Sequence, residues 1–315
     1  MDWASRWIRL TSRRSAVRSR HRALPDDVQS WLAAHNVEPS GPIETIHERP
    51  WSTVLRVPAA DGDLYLKQEQ PLQAYEVALT VALSSRWPDR VPEVVAADTD
   101  RSWLLLRDGG TRVADSGRFD VFTRALALYG ELQVGEAARV EELLGFGLRD
   151  LRLPVVVDLY EPFFERDQGL GPDEVGRLLA LAPRFRELCA ELEQLGLPAS
   201  IQHDDLHEWN VFERDGRVAI YDWGDASVGF PLWSWLKPSW SLEEPEPARA
   251  AYVAAWESFA SEARLRRALE LAIPTGLFPY AVQVRRQYDA TQAHSDYDTY
   301  LPQRLRQLLV ALDAA

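Results

Sequence analysis

Short hydrophobic runs separated by turns dominate the first third of the chain. Five of them have the alternation or the branched and aromatic composition that is typical of β-strands. They lie at residues 43–46, 52–57, 64–68, 94–95 and 103–106. Asp61-Gly62, between the second and third runs, indicates a hairpin turn. Residues 73–87 instead place hydrophobic side chains at helical spacing. This order predicts a small sheet that carries one main helix.

Helical spacing prevails in the rest of the chain. Hydrophobic positions recur with a helical period at residues 119–135, 172–195 and 245–315. Pro183 is expected to kink or split the second of these segments, and interruptions are expected near Pro274 and Pro302. Residues 153–164 are mostly hydrophobic and fit either a helix or a strand. The predicted fold class is therefore α+β, with a small N-terminal sheet and a larger, mostly helical C-terminal part.

One stretch between the helices, residues 199–235, is rich in acidic residues and contains strand-like runs. Asp215-Gly216 predicts a hairpin between two of these runs. Because the two strands of a hairpin lie side by side, the loop that contains Asp205 and Asn210 should come close to Asp222. The acidic residues either solvate a loop or bring their oxygens together for chemistry.

The spacing of these oxygen-bearing side chains suits a phosphoryl-transfer site. Hard cations such as Mg²⁺ take oxygen ligands, one or two from the protein and others from substrate phosphates. Asn210 and Asp222 would supply an amide oxygen and a carboxylate, and Asp225 is a further possible ligand. Asp205 would accept or orient a proton, and Lys67 would supply a cation for the phosphates.

A second chemistry is open for the same stretch. His203-Asp204 is an adjacent histidine–aspartate pair, and His207 follows four residues after His203. With another acidic residue, these side chains would form a metal-dependent phosphohydrolase site. That alternative gives no task to Asn210 or Lys67.

Composition narrows the classes of protein. The 315 residues suggest two domains, and the hydrophobic and charged fractions of 46% and 26% are those of a globular chain without a membrane span. The single cysteine, Cys189, excludes a disulfide framework and fits a reducing, cytoplasmic location. The net charge of −13 disfavours nucleic-acid partners and would attract cationic small molecules. Only two lysines occur, Lys67 and Lys237.

The first 42 residues are predicted to form a basic arm and a short helix. Seven arginines and one acidic residue occur in residues 1–25. This composition fits a flexible arm, a helix docked on the acidic body, or a targeting segment. Residues 25–36 have the pattern of a short amphipathic helix.

Several segments in the predicted catalytic region resemble the aminoglycoside phosphotransferase and choline kinase-like family. The segment His203–Asn210, HDDLHEWN, resembles the family motif H-G-D-x-H-x-x-N. Residues 220–225, IYDWGD, resemble I-D-W-x-D, and residues 229–233 resemble the G-x-P segment that follows it. Residues 103–110 are similar to the linker that joins the two lobes in that family.

The resemblance implies a bilobal protein-kinase-like fold with an N-lobe at residues 43–106 and a C-lobe at residues 107–315. It implies ATP and Mg²⁺ as cofactors, Asp205 as the catalytic base, and Asn210 and Asp222 as the magnesium ligands. It places the nucleotide at Lys67, its helix partner Glu76, the hydroxyl of Ser52, and backbone groups near Leu106 and Arg107.

Three departures from the family pattern stand out. Asp204 replaces the usual glycine, which matters if that position needs a positive φ. The spacing from Lys67 to Glu76 is short, and Ser234 stands near the position where a carboxylate often follows. Asp204 favours one alternative, a pseudokinase that binds nucleotide without transferring phosphate.

The predicted function is that of an ATP- and Mg²⁺-dependent kinase that phosphorylates a hydroxyl group of a small molecule, without nucleic-acid or membrane partners. The acidic composition favours a cationic acceptor, such as an aminoglycoside, an amino sugar or an amino alcohol. Neutral and amino-acid-like alcohols remain alternatives. Candidate acceptor contacts are Asp158, Tyr160, Glu161, Glu165, Trp233, Tyr280 and Tyr288.

Overall fold

In the computed structural model, which describes residues 26–291 and 295–315, the strand-like runs of the N-terminal part pair into one antiparallel sheet. The predicted arm at residues 1–24 lies outside the described residues. The strands are β1 (Glu44–Glu48), β2 (Ser52–Val57), β3 (Leu64–Glu69), β4 (Val94–Asp98) and β5 (Trp103–Arg107). Their spatial order is β1-β2-β3-β5-β4. All five predicted strands are present, and β1 extends into the segment that was expected to be a turn.

Two helices cover opposite faces of this sheet. Helix α1 (Asp26–Ala34) contributes Trp31 and Leu32 to a core that includes Leu66 and Leu105. Helix α2 (Tyr75–Arg86) packs Val77 against the neighbouring side chains of β5, Leu104 and Leu106. Because successive residues of a strand point to opposite faces, the hydrophobic residues at 104, 105 and 106 serve both cores. Lys67 and Glu69 alternate with Leu66 on β3 and therefore lie on the face of α2.

A hairpin late in the chain completes the first compact unit. It consists of β9 (Val211–Arg214) and β10 (Arg217–Ile220), with a turn in which Asp215 and Gly216 both have positive φ. The hairpin predicted from Asp215-Gly216 is therefore present. Strand β9 pairs with β6 (Thr111–Arg112), and the Ile220 N–H donates to the Arg90 carbonyl.

The compact units divide the chain differently from the predicted lobes. The first unit contains the residues up to Arg112 and the segment Phe212–Gly224, and the second contains Val113–Val211 and Asp225–Ala315. The predicted boundary lies after residue 106 and assigns the hairpin to the C-lobe. The hairpin and β6 form a three-stranded sheet of their own, in the order β10-β9-β6, and this sheet belongs to the first unit.

The second unit is mostly helical, and its remaining strands β7, β8 and β11 form a small sheet in the order β7-β11-β8. The helices are α3 (Val113–Ser116), α4 (Phe119–Glu136), α5 (Val140–Gly145), α6 (Leu153–Phe163), α7 (Pro172–Ala180), α8 (Ala182–Gln194), α9 (Pro238–Ser241), α10 (Pro245–Ala254), α11 (Glu262–Thr291) and α12 (Ser295–Ala314). Strands β7, β8 and β11 span Arg149–Leu151, Ser200–Gln202 and Ser227–Gly229, and short 3₁₀ turns occupy Ala137–Arg139 and Pro231–Trp235. The predicted α+β class is confirmed.

The interruption predicted at Pro183 is present, whereas those predicted near Pro274 and Pro302 are not. The helical pattern at 172–195 splits into α7 and α8, and Pro183 lies in the first turn of α8, where its missing N–H leaves no helical bond unmade. Pro274 and Pro302, expected to interrupt helices, lie inside α11 and α12. Near Pro274 the Thr275 hydroxyl donates to the Leu271 carbonyl at 2.6 Å, and the flanking turns are buried, so packing outweighs the cost of the proline. Residues 153–164, which fitted either element, form helix α6.

No helix in residues 26–291 or 295–315 is both long and hydrophobic enough to span a membrane.

Helices α4 and α10 approach each other closely at Gly130. A Cβ atom at this position would lie 2.6 Å from the Tyr252 carbonyl oxygen and 3.0 Å from the Ala255 Cβ. The two helices cannot move apart here without disturbing the rings of Tyr129 and Tyr252, which stack on each other between them.

We expect Gly130→Ala to lower the free energy of unfolding by about 1–3 kcal/mol, because the added methyl group overpacks the contact between α4 and α10. The matched control is Gly176→Ala in α7, where a Cβ would meet no atom within 4 Å. That substitution should stabilise the protein by about 0.5–1 kcal/mol through helix propensity. Chemical denaturation measures both, and equal effects of the two substitutions would contradict the close approach.

Candidate functional site

The Lys67 ammonium in the first unit is surrounded by carboxylates. Its Nζ lies 2.5 Å from Glu76 Oε2 in the first turn of α2, 2.7 Å from Asp222 Oδ1 after β10, and 2.9 Å from Glu69 Oε1 on β3. Only 8% of Lys67 is exposed. The structure therefore pairs Lys67 with Glu76 despite their short separation in sequence, and it adds Glu69, which the sequence did not single out.

The charges in this group explain how a lysine is tolerated there. Burial opposes the charge of Lys67, but Asp222, Glu69 and Glu76 outweigh it and hold the pKa of Lys67 well above its ordinary value. Burial also raises the pKa of Glu69 far above its ordinary range, an effect that Lys67 opposes and the nearby Glu76 reinforces. With its pKa raised to about 10, the Glu69 carboxyl keeps its proton at neutral pH.

Glu76 also fixes the backbone after β10. Its Oε1 accepts the Trp223 N–H at 3.0 Å, while the Tyr75 hydroxyl donates to the Gly224 carbonyl at 2.6 Å. A Cβ on Gly224 would lie 2.7 Å from Glu76 Oε2, so a larger residue would collide with the carboxylate that holds Lys67. Asp222 has a φ of 64°, a conformation that aspartate tolerates better than most residues.

The carboxylate of Asp205, in the second unit, carries donors on both oxygens. Lys237 Nζ lies 2.5 Å from Oδ1, and His207 Nε2 and Asn210 Nδ2 each lie 3.2 Å from Oδ2. Burial alone would raise the pKa of Asp205, but the Lys237 ammonium and then the His207 imidazole hold it well below its ordinary range. Asp205 is therefore an ionised acceptor whose side chain keeps 26% exposure.

The contacts of Asn210 suit a magnesium ligand. Its amide nitrogen donates to the Asp205 backbone carbonyl at 2.9 Å as well as to the Asp205 carboxylate, which orients the amide oxygen as the remaining acceptor. Asp222, with a side chain 51% exposed, presents a carboxylate. One amide oxygen and one carboxylate match the sparse protein ligation that Mg²⁺ accepts beside phosphates. Each of these residues, taken in its own unit, therefore fits the predicted cation.

Asp204, the residue in place of the family glycine, has a φ of 59°, so the position does adopt the left-handed conformation. Its Oδ2 accepts the Ser227 hydroxyl at 2.5 Å and the Gln283 amide at 3.0 Å. Burial raises the pKa of Asp204, although both of these donors oppose that effect. Asp225 Oδ1 likewise accepts the Gln287 amide at 2.6 Å. Both carboxylates are thus engaged by α11.

The histidine–aspartate pair His203-Asp204 is engaged by neighbouring groups of the chain. His203 is fully buried, and its Nδ1 accepts the Asp205 N–H at 3.3 Å. Within residues 26–291 and 295–315, no group of three or more His, Cys, Asp or Glu side chains could hold a metal ion. The His203 imidazole therefore holds the backbone at Asp205.

The groups near β2 and β5 that were predicted to contact the nucleotide are mostly buried or hydrogen-bonded within the chain. Ser52 is 2% exposed. Leu106 lies in an interior strand that pairs with both neighbours, the Arg107 N–H donates to Glu93, and the Arg107 carbonyl accepts the Tyr221 hydroxyl.

Most of the predicted acceptor contacts have structural partners. Tyr160 stacks on Phe185 in the core and donates to the Leu178 carbonyl, and the Trp233 indole donates to Thr275. Glu161 pairs with Arg186 at the surface, and Tyr288 lies beside Arg285; for Asp158 and Glu165 the structure gives no contact that points to an acceptor. Tyr280 differs because its ring faces Lys237, the cation on Asp205.

Lys237 is the residue that sequence reasoning left without a task. The available signal was the rarity of lysine, since only two occur in the chain. No spacing rule connects Lys237 to Asp205, 32 residues earlier.

Comparison with known proteins agrees with these features. The model of the phosphotransferase enzyme family APH matches residues 26–269. A search of curated protein sequences finds no significant match. The structure resembles a choline/ethanolamine kinase family protein from Mesorhizobium loti, with a TM-score of 0.62 at 16% identity over 92% of this chain and 99% of that one.

Two further solved structures share the fold. Macrolide 2′-phosphotransferase MphH from Brachybacterium faecium has a TM-score of 0.56 at 19% identity over 89% of this chain and 97% of that one. Choline kinase LicA from Streptococcus pneumoniae has a TM-score of 0.60 at 12% identity over 90% and 98%. At these identities the likeness shows the fold, which is protein-kinase-like. It does not identify the acceptor, which must be inferred from the side chains of this protein.

The protonated state of Glu69 predicts a pH dependence of stability. Because the pKa of Glu69 is higher in the folded protein than its ordinary value of 4.5, its contribution to stability is complete below that value and declines as the pH rises. Glu69→Gln cannot release a proton. We therefore expect the variant to gain about 1–3 kcal/mol relative to the wild type between pH 5 and pH 8.

Chemical denaturation at the two pH values measures this difference. Glu257→Gln, a substitution at an exposed position, is the control and should follow the wild type. If Glu69→Gln also follows the wild type at both pH values, Glu69 is ionised in the folded protein.

Proposed function

The chain belongs to the phosphotransferase enzyme family, and from this premise we propose that it is an ATP- and Mg²⁺-dependent kinase that phosphorylates a hydroxyl group of a small molecule. The resemblance found in the catalytic segment is confirmed by the family match, and the predicted protein-kinase-like fold by the structural neighbours. The observation that carries the proposal is the state of Asp205, an ionised and partly exposed carboxylate held by Lys237, His207 and Asn210.

Asp205 is the proposed catalytic base. A base must lie within hydrogen-bond reach of the proton that it removes, and the Asp205 carboxylate retains exposed surface for this contact. The acceptor hydroxyl would donate to Asp205, and its oxygen would attack the γ-phosphorus of ATP. The new bond forms as the bond to the β–γ bridging oxygen breaks, ADP leaves, and the proton passes to Asp205.

Lys67 is the proposed phosphate-binding cation. Its ammonium is held by Glu76, whose own position is fixed by the Trp223 N–H. A lysine gives a compact charge that contacts phosphate oxygens without a fixed geometry. The contact of Lys67 with Asp222 would be exchanged in part for contacts with ATP.

Asn210 and Asp222 are the proposed magnesium ligands. When bound, Mg²⁺ neutralises negative charge on the phosphate oxygens of ATP. The chain's contribution is to keep both side chains oriented: Asn210 by its bonds to Asp205, and Asp222 by its ion pair with Lys67.

The engagement of Asp204 supports transfer over a nucleotide-binding pseudokinase. Its Oδ2 accepts hydrogen bonds from the Ser227 hydroxyl and the Gln283 amide, so this side chain is held by its neighbours in the second unit. The residue that favoured the pseudokinase therefore supports the catalytic loop.

Asp205→Asn is expected to reduce acceptor-dependent ADP formation by about 100- to 10,000-fold, because asparagine cannot accept the hydroxyl proton. The KM for ATP should change little, since Asp205 is not proposed to contact the nucleotide. Steady-state kinetics with an acceptor found by screening hydroxyl compounds measures both constants. The control is Asp120→Asn, which removes an exposed carboxylate paired with Arg118. Turnover by Asp205→Asn within threefold of the wild type would refute the role of the base.

Lys67→Met is expected to weaken ATP binding by roughly 10- to 100-fold, the worth of a charged hydrogen bond. Calorimetric titration with ATP and Mg²⁺ measures the affinity directly. Because the substitution leaves buried carboxylates unpaired, a thermal melt must first show a folded variant. Arg101→Gln, at an exposed ion pair of the same unit, should bind ATP as the wild type does. Unchanged affinity in folded Lys67→Met would remove this lysine from the nucleotide site.

A further inference from the structure

The second lysine of the chain, Lys237, is bound to the proposed catalytic base. It lies between the 3₁₀ turn Pro231–Trp235 and α9, is 8% exposed, and places its Nζ 2.5 Å from Asp205 Oδ1. Burial opposes its charge, but the Asp205 carboxylate outweighs burial and raises the pKa of Lys237 well above its ordinary value. Lys237 is therefore a fixed positive charge on one oxygen of the base.

Stability does not account for a lysine at this place. A buried ion pair recovers in attraction little more than it loses in hydration, and a hydrophobic pair of similar size often serves as well. Asp205 is also already held by His207 and Asn210. The Lys237 ammonium therefore matters more for the charge beside Asp205 than for holding the Asp205 side chain in place.

Aromatic side chains surround this ammonium, together with a second cation. The Lys237 cluster consists of Lys237, Trp240, Tyr280, Tyr300 and Arg304. The rings of Trp240 and Tyr280 meet edge to face with centroids 5.7 Å apart, and the hydroxyls of Tyr280 and Tyr300 hydrogen-bond each other. Helices α9, α11 and α12 each contribute to the cluster.

The rings of this cluster already face cations of the protein itself. Lys237 Nζ lies 5.0 Å from the centroid of the Tyr280 ring. The Arg304 guanidinium lies 4.5 Å from the ring centroids of both Trp240 and Tyr300. Aromatic faces that could recognise an organic ammonium by cation–π attraction are thus turned to Lys237 and Arg304.

The acceptor must come close to these charges. A hydroxyl that donates to Asp205 lies at hydrogen-bond distance from a carboxylate whose Oδ1 carries Lys237. Lys237 is itself only 8% exposed, so its charge is screened less by water than an exposed charge would be. An ammonium of the acceptor that lies on the side of Asp205 facing Lys237 and Arg304 would be repelled, whereas a carboxylate, a phosphate or a neutral polyol there would not.

We propose that Lys237 and its aromatic cluster form part of the acceptor site and select a neutral or anionic hydroxyl compound against a cationic one. This inference rests on the proposed kinase function, since it needs Asp205 to receive the acceptor hydroxyl. It replaces the expectation of a cationic acceptor, which followed from the net charge of the chain.

A charge-balanced screen of hydroxyl compounds with the wild-type protein tests this selection. The library contains matched sets that differ in charge, such as glucosamine, glucose and glucuronate, and 3-amino-1,2-propanediol, glycerol and glycerate. Acceptor-dependent ADP release from ATP and Mg²⁺ is measured for each compound. We expect the neutral or anionic member of any active set to have a kcat/KM at least tenfold above that of its cationic counterpart.

Two failures of the screen are distinguishable. If cationic compounds are used best, the acceptor inference is overturned and the kinase function stands. If no compound in the balanced library stimulates ADP release, the proposed function fails, and the inference that depends on it fails with it.

Variants at Lys237 separate selection from folding. Lys237→Met should lower kcat for the best neutral acceptor and reduce the neutral-to-cationic ratio of kcat/KM by at least threefold, with the KM for ATP changed less than twofold. Lys237→Arg should preserve the ratio, and Arg266→Gln, at an exposed ion pair on α11, should match the wild type. An unchanged ratio in folded Lys237→Met would assign Lys237 to structure alone, and the wild-type ranking remains decisive if the variant does not fold.

Discussion

The ammonium of Lys67, buried and shared among carboxylates, is the constraint on which the first unit depends. Taking a lysine out of water is costly, and the cost is offset only where its partners are fixed in place. Glu76 comes from the helix on the sheet, and Asp222 comes from the far end of a hairpin 155 residues away. One charge therefore ties together β3, α2 and the distant segment after β10. The same requirement explains Gly224, because any larger side chain would displace the Glu76 carboxylate.

A second ion pair organises the loop around Asp205 in the other unit. There too, the cost of a buried charge is offset by partners that are fixed in place. Asp205 is held by Lys237 from downstream in the chain and by His207 and Asn210 from its own loop. Each of the two lysines thus balances a carboxylate that the proposed reaction uses, Asp222 in one unit and Asp205 in the other. In both places the ammonium lies on a carboxylate oxygen, at 2.7 Å from Asp222 and at 2.5 Å from Asp205. The extra carboxylate at Glu69 is accommodated differently, by retention of a proton.

Local patterns predicted the elements well, because strand alternation and helical spacing report which face of an element is buried. The hairpin was predictable from Asp215-Gly216, since its geometry needs residues that accept positive φ. The helices that contain Pro274 and Pro302 were not, because a proline's penalty is local and tertiary packing overrides it. Asp205 and Asn210, whose roles are proposals, could be singled out from their spacing within one loop. The partnership of Lys237 with Asp205 could not, because it is created only when distant segments pack.

The contrast between the charge of the chain and the charge at the base has a physical cause. The net charge of −13 sums over all residues, most of them on the surface, where water and salt screen each one within roughly 10 Å. A substrate at Asp205 responds instead to charges within a few ångströms in a partly dry environment, where screening is weak. There Lys237 neutralises the base and Arg304 adds a further positive charge over the neighbouring rings. An acidic protein can therefore carry positive charges beside one carboxylate, and the proposed selection of the acceptor rests on these few side chains, whatever the overall composition.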